Sequence, residues 1–496
     1  MFMQVMTNLL DPTCLLAIMG GVLMGISFGA MPGLTSTMGV ALLMPLTFGM
    51  DAHVGMLMLV GIFCGAIYGG SITAILINTP GTPSAAATVL DGYQFTLRGE
   101  SGRALGISTF SSFCGGIISG TVMILVAPQL ARIALKFSAP ESFALAFFGL
   151  SIIASISGKD LIKGVMSGTL GLLLSLIGMD NVTAYTRYTF GSTFLMNGLS
   201  FIPVLVGLFA LSQCFLTAED IFTKRAKPEK TKNPFPSKQD LKTIFPTIIR
   251  AGLTGTFIGI IPGAGGDISA FVSYDMERRC SKHPELFGTG IPEGIAAPET
   301  SNNGTTGGAL IPLLTLGIPG DANTAVMLGA LMMHNMTPGP QLFITKAATV
   351  NTLFAGFMVA NLFMLIFGLL GQPLFVKIVT IPKTVLVPCI IVLCAVGSFA
   401  INNNYYDIVV MLIAGVVGYF LTKGGYPLSP IVLALILGPM AEGNFRRSLV
   451  MSQGSYAIFF QRPIAAAFII VGTVSLVWPF IRSLMERRKR AAGQEA

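Results

Sequence analysis

The chain has 496 residues, of which 53% are hydrophobic and 10% charged, with a formal net charge of +8. A water-soluble chain carries about a quarter charged residues, which excludes an ordinary soluble domain. The basic surplus is gathered in Lys224–Lys242 and Glu486–Ala496, a distribution of cytoplasmic loops rather than of a nucleic-acid surface.

Read from the start, "MFMQVMTNLLDPT" carries no positive n-region, so no cleavable signal peptide is expected. An apolar run, Cys14–Ala30, ends at Pro32-Gly33 and is followed by Thr35, Ser36 and Thr37. A second long run ends in "ILINTPGTPSAAAT", which holds Asn78, Thr79, Gly81, Thr82 and Ser84. Asp160–Gly178 and Phe194–Leu216 are further spans, and the polar linker follows them. After it, "IPGAGGDIS" supplies Gly265, Gly266, Asp267 and Ser269. The polar stretch "EGIAAPETSNNGTTGG" has two readings: a surface loop, or a segment bringing Asn302 and Asn303 to a binding site. Next comes "TLGIPGDANTA" with Gly317, Gly320, Asp321, Asn323 and Thr324. Asp407–Gly425 and a final run, Ile464–Ile481, complete the spans. Alternating segments of a membrane β-barrel are not visible. The seven cysteines are scattered, form no CxxC pair and sit mostly in apolar runs, where they serve packing.

Three pairs of motifs recur in the same order. "GISFGAMPG" (Gly25–Gly33) and "GTFIGIIPG" (Gly255–Gly263) both read G-x-x-x-G-x-x-P-G. "GGSITAILINTPG" pairs with "GGALIPLLTLGIPG", and Asp160–Gly178 with Asp407–Gly425. A duplication follows, with residues 1–223 as the first repeat, 224–242 as linker and 243–445 as the second repeat. Residues 446–485 hold one C-terminal span and 486–496 a basic tail. The expected fold is an all-α polytopic membrane protein of about 11–13 spans, with two inverted-topology repeats and re-entrant hairpins or broken helices at mid-membrane. A cytoplasmic linker and tail then put the Lys/Arg-free N-terminus outside, while Arg446 and Arg447 on the outer side run against the scheme.

Proline and glycine stop a helix, and backbone groups freed in this way cannot face lipid. Such breaks survive inside protein or beside a watery cavity, where helix N-termini attract anions and C-terminal carbonyls attract cations. Paired breaks in matching halves mark a transporter's binding site. The expected substrate-binding set is Thr35, Ser36, Thr37, Asn78, Thr79, Gly81, Thr82, Ser84, Gly265, Gly266, Asn302, Asn303, Gly320, Asn323 and Thr324. Asp267, Asp321, Ser269 and Gly317 are candidates for a coupling cation, since a carboxylate in apolar surroundings needs a cation or a proton. The competing readings are that the glycines only let helices approach and that either Asp caps a helix.

These motifs resemble the large permease subunit of the tripartite tricarboxylate transporters. The resemblance rests on "MPGLTSTMGVALLMPLTF", "YGGSITAILINTPGTPSAAATVLDGY", "IGIIPGAGGDISAFVSYDMERR" and "GIAAPETSNNGTTGGALIPLLTLGIPGDANTAVMLGAL". It implies a bacterial inner-membrane secondary transporter working by alternating access. Its implied partners are a small membrane subunit and a periplasmic substrate-binding protein. Organic carboxylates such as citrate would be the substrates, with no cofactor beyond a coupling ion, Na⁺ or H⁺.

Other classes fare less well. "GAGGD" and "GIPGD" miss the GxGD pattern of membrane aspartyl proteases at Ala264 and Ile318, and no HExxH occurs among the three histidines. No G-x-x-x-x-G-K-[ST] is present, so an ATP-driven permease would need its motor on another chain. A passive anion channel stays open, because hairpins also build filters.

Overall fold

A computed structural model describes residues 2–31, 34–151, 161–180, 185–219, 235–379 and 383–492. Pro32, Gly33 and most of the basic linker lie outside the described residues. The first half contributes α1 (Phe2–Leu10), α2 (Pro12–Gly29), α3 (Ser36–Leu43), α4 (Ala52–Ile77), α5 (Val89–Leu97), α6 (Ser101–Ala134), α7 (Ala139–Ser151) and α8 (Leu161–Ser175). It ends with α9 (Phe201–Glu219), which carries a π-helical turn at Gly207–Leu211. The second half contributes α10 (Lys238–Ile260), α11 (Gly265–Cys280), α12 (Pro292–Leu316), α13 (Ala322–Met333), α14 (Ala347–Leu370) and α15 (Gln372–Val379). The chain closes with α16 (Lys383–Asn402), α17 (Tyr405–Lys423), α18 (Ser429–Met451) and α19 (Pro463–Ala492). Among the described residues the only strand pair is a ribbon of Gly178–Met179 against Thr186–Arg187. Among the described residues, seven helices (α2, α4, α6, α9, α10, α14 and α17) are long and apolar enough to cross a membrane. The protein is an all-α, multi-pass membrane protein.

Two of the expected boundaries fall inside helices. Lys238–Lys242, assigned to the linker, form the first turn of α10, because Ser237 and Asp240 make a capping box there and Arg103 clamps Asp240 at 2.5 and 3.0 Å. Arg446 and Arg447 lie within α18 rather than opening the C-terminal block, and Arg446 pairs with Asp180 at 2.7 Å.

Small residues decide how the long helices meet. Gly21, Gly25 and Gly29 of α2 lie against the carbonyls of Met58, Ile62 and Ala66 on α4, and Gly61, Gly65 and Gly69 answer from α4. No side chain separates the backbones along this seam, the close approach that small-xxx-small spacing permits in membranes. Gly255 and Gly259 of α10 meet Ser301 and Thr305 of α12 in the same manner. The partner numbers rise together in each pair, so α2 runs parallel to α4 and α10 parallel to α12. Tyr68 bonds Thr109 and Ser71 bonds Ser108, so α4 runs antiparallel to α6. Gly115 of α6 faces Thr300, and Gly307 faces Ser119, so α6 runs parallel to α12. The α2–α4 pair therefore points opposite to the α10–α12 pair.

Around this body the halves mix. α18 packs on α7 and α8, while α9 packs on α16 and α17. Glu219 and Lys423 form an ion pair at one face, where Lys163 also reaches the Gly424 carbonyl at 2.7 Å. At the other face Asn402 reaches Ser200, and Phe194 lies on Tyr406.

The polar stretch Glu293–Gly308 is not a surface loop. It belongs to α12, whose residues from Gly294 to Thr315 are all buried against α6, α10 and α11. Gly, Asn, Ser and Thr are poor helix formers in isolation, and tertiary packing overrides that preference here.

Candidate functional site

Four interrupted elements converge on one cavity of about 500 Å³. Thr35, Ser36 and Thr37 open α3, Pro83 and Ser84 belong to the segment folding back after α4, Gly265 to Asp267 open α11, and Asp321 and Asn323 open α13. Neighbours pair across the halves: α3 packs on α13, and the short turn Pro83–Ala85 packs on α11. Volumes of this size hold small molecules.

Three helix N-termini thus border the cavity, but only one is left open. Thr35 accepts the Met38 amide at 3.1 Å and so caps α3. Asp321 caps α13: its Oδ1 accepts the Thr324 amide at 2.8 Å and the Thr324 hydroxyl at 2.6 Å, while Asn323 donates to Oδ2 at 3.2 Å. At α11 the cap position is Ala264, which offers no side-chain acceptor. Amides of that first turn are the ones available to an anion. Asp267 stands in the same turn and is exposed to the cavity. With it, the site joins amides that suit a carboxylate to a carboxylate that suits a cation.

Of the expected binding residues, Thr35, Ser36, Thr37, Ser84, Gly265, Gly266, Asp267, Asp321 and Asn323 line the cavity. The others stand elsewhere. Asn78 and Thr79 are exposed at the end of α4, with Asn78 in the left-handed region at φ 55°. Gly81 folds back onto Gly70 and the Gly29 carbonyl, and Gly320 onto Ala309 and the Gly259 carbonyl, so both glycines are there for close packing. Thr82 is buried and bonds Ser84 at 3.1 Å. Gly317 ends α12 at φ 72°, and Thr324 is occupied by the Asp321 cap. Ser269 is tied into a hydroxyl knot with Ser301, where Ser273 also donates at 2.8 Å. Asn302 and Asn303 lie inside α12; Asn302 donates to the Ser84 carbonyl at 3.4 Å and accepts from Asn303 at 2.6 Å. Of the four cation candidates, then, Asp267 alone faces the cavity without a protein partner among the described residues.

A second cavity, of about 470 Å³, lies toward the opposite face along α13 and α18. Asp180, Arg187 and Glu442 line it and join Arg446 in one charge network, with Arg187 on Glu442 at 2.9 Å and Arg446 on Glu442 at 2.8 Å.

Comparison with known proteins decides the family. Residues 15–433 match the family described as Tripartite tricarboxylate transporter TctA family. This chain belongs to the TctA family. It is 37% identical over 475 residues to an uncharacterized 52.8 kDa protein in the TAR-I ttuC' 3' region of Agrobacterium vitis, covering 96% of this chain and 95% of that protein. It is 36% identical over 234 residues to an uncharacterized protein in the TAR-II ttuC' 3' region of the same organism, covering 47% of this chain and 97% of that protein. No solved structure matches.

In this TctA-family chain, reading of the sequence missed one wall of the cavity. Phe209, Ser212 and Gln213 come from α9, and Thr422, Tyr426 and Ser429 from the end of α17, the α17–α18 connection and the start of α18. Neither segment carries a proline-glycine break at that point; the π-helical turn Gly207–Leu211 leaves no mark in residue type. The run Lys423-Gly424-Gly425 is a turn signal, but it says nothing of what the turn faces.

Proposed function

We propose that this chain is the large membrane subunit of a binding-protein-dependent secondary transporter that imports organic carboxylates, coupled to a Na⁺ or H⁺ gradient. The convergence of four broken elements on one cavity, with the uncapped N-terminus of α11 and Asp267 side by side, is the observation that carries the reading. Membership of the TctA family supports a small membrane subunit and a periplasmic binding protein as partners.

The geometry also fits one step of an alternating-access cycle. The cavity reaches through Thr422 and Tyr426 toward the face marked by Glu219 and Lys423, while the charge network of Arg187 and Glu442 lies at the other end. With the linker in the cytoplasm of a bacterial inner membrane and the N-terminus outside, this is an inward-facing arrangement. The four broken elements move as a unit past the α9 and α18 walls in this reading.

Uptake into proteoliposomes tests it. The chain and its small subunit are reconstituted, a panel of labelled carboxylates is offered with and without the binding protein, and Na⁺ or H⁺ gradients are imposed without ATP. Accumulation that needs both gradient and binding protein supports the proposal. Passive flux independent of that protein would make the chain a channel, and a requirement for ATP would sink the secondary-transport reading.

A further inference from the structure

Glu299 sits in the polar middle of α12 and is completely buried. Its Oε1 accepts from the Thr88 hydroxyl and its Oε2 from the Ser112 hydroxyl at 3.0 Å. The Ser71–Ser108 hydroxyl pair lies beside it. Burying an ionised carboxylate is costly unless it is paired, and the other buried acids show how this chain meets that cost. Asp240 has Arg103, Glu277 has Arg250, Glu141 has Arg462 and Asp180 has Arg446, while Asp407 takes the Asn402 side-chain amide at 2.7 Å. Asp91 is held by the amides of Gly288, Gly290 and Ile291 and by the Tyr274 hydroxyl.

Among the described residues, Glu299 has hydroxyl partners only. The difference is chemical: an arginine or a backbone amide can only donate, so it fixes its partner as a carboxylate. A serine or threonine hydroxyl donates to a carboxylate and accepts from a carboxylic acid equally well. The Glu299 pocket therefore accommodates both protonation states with no rearrangement beyond rotating hydroxyls. The titratable groups on the packed elements include Tyr68 on α4, whose hydroxyl is bonded to Thr109 at 2.8 Å, Asp91 on α5 and Asp267 on α11. On α6 they are Cys114 and Arg103, the latter committed to Asp240; on α10 and α11, Arg250 and Glu277 are committed to each other. None offers Glu299 a free positive charge.

The carboxyl is also wired to the cavity. Thr88 lies on the same fold-back segment as Ser84, which lines the cavity, and Asn302, one turn beyond Glu299, donates to the Ser84 carbonyl. A change at Glu299 thus reaches that segment from two points.

We propose that Glu299 is the proton-carrying residue of the transport cycle, a coupling site that rests on the transport reading given above. A proton from the water on one side converts the carboxylate to the acid, Thr88 or Ser112 turns from donor to acceptor, and the reverse step releases the proton to the other side. No other bond changes.

The test compares wild type with Glu299→Gln, which keeps the shape and a donor but cannot titrate. Accumulation of labelled carboxylate under an imposed pH gradient is measured beside counterflow, in which labelled substrate exchanges with unlabelled substrate and no gradient is present. The expected result is at least a tenfold loss of gradient-driven accumulation with counterflow preserved. In parallel, a pH-indicator dye should report proton uptake or release on substrate addition to purified wild type, and none for Glu299→Gln. Equal accumulation by both proteins overturns the assignment. So does loss of counterflow together with accumulation, which makes Glu299 structural, and so does a wild type driven by Na⁺ and indifferent to the pH gradient. If wild type moves no carboxylate at all, the transport reading falls and the coupling role falls with it.

Discussion

Replacing Gly65 by alanine tests whether backbone contact, rather than glycine's flexibility, holds α2 against α4. A Cβ at Gly65 would stand 2.5 Å from the Val22 carbonyl oxygen and 3.0 Å from the Ile26 nitrogen. Ordinary contact begins at 3.4 Å, so the helices must part by roughly an ångström at this level. A gap of that size along a packed seam forfeits about a quarter to a half of the local dispersion energy, and overpacking of this kind costs about 1–3 kcal/mol. Gly20, on α2, supplies the control because nothing lies within 4 Å of a Cβ placed there. Both substitutions gain the same helix preference of alanine over glycine, about 1 kcal/mol in water. Their difference therefore isolates the clash, at about 1–3 kcal/mol. Thermal unfolding of the purified protein in detergent, followed by loss of the monodisperse peak, should place Gly65→Ala below wild type and Gly20→Ala at or above it. Equal shifts for the two would refute the seam argument.

Three further outcomes are expected. Asp91→Ala strands three amides and the Tyr274 hydroxyl in a buried site, and at about 1–3 kcal/mol for each unsatisfied group it should be among the most destabilising single changes, read by the same thermal assay. Asp321→Asn keeps a competent cap and should leave both melting temperature and uptake near wild type, whereas Asp321→Ala should cost about 1 kcal/mol; loss of uptake in the Asn variant with stability intact would restore Asp321 as a cation ligand. Asp267→Asn should lower uptake at least tenfold while leaving thermal stability unchanged, because its side chain meets the cavity and no protein partner among the described residues.

Much of this architecture was legible because the relevant signals are local. Pro80-Gly81 and Pro319-Gly320 interrupt apolar runs, and nothing but a fold-back inside protein can accommodate that. The residues after the breaks divide between cavity and packing for a physical reason. Ser84 and Asn323 reach the cavity, but Gly81 and Gly320 spend their lack of a side chain on returning the chain against Gly29 and Gly259. Asp321 was ambiguous in sequence, since one carboxylate before a helix serves equally as a cap or a ligand; three hydrogen bonds assign it as a cap. The wall built by α9 and by the α17–α18 connection was not legible. It depends on helices from different halves packing together, and no local residue pattern encodes that.

The polar helix is where the two halves part company. Setting "GGSITAILINTPG" against "GGALIPLLTLGIPG" at their first glycines places Glu299, Asn302 and Asn303 of α12 opposite Gly61, Cys64 and Gly65 of α4. The scaffold features agree across that register: a glycine seam to a parallel neighbour, a long helix, a fold-back glycine on a carbonyl. The polar features do not, for α4 is apolar where α12 carries a carboxylate, two amides and a run of hydroxyls. A duplicated scaffold needs both copies of whatever shapes the cavity, so breaks and glycines recur. On the proposal above, a group that loads one proton per cycle is needed once, and a matching carboxylate on α4 would add desolvation cost without a second task. The asymmetry of α12 against α4 is therefore the pattern expected if Glu299 has the coupling role proposed above.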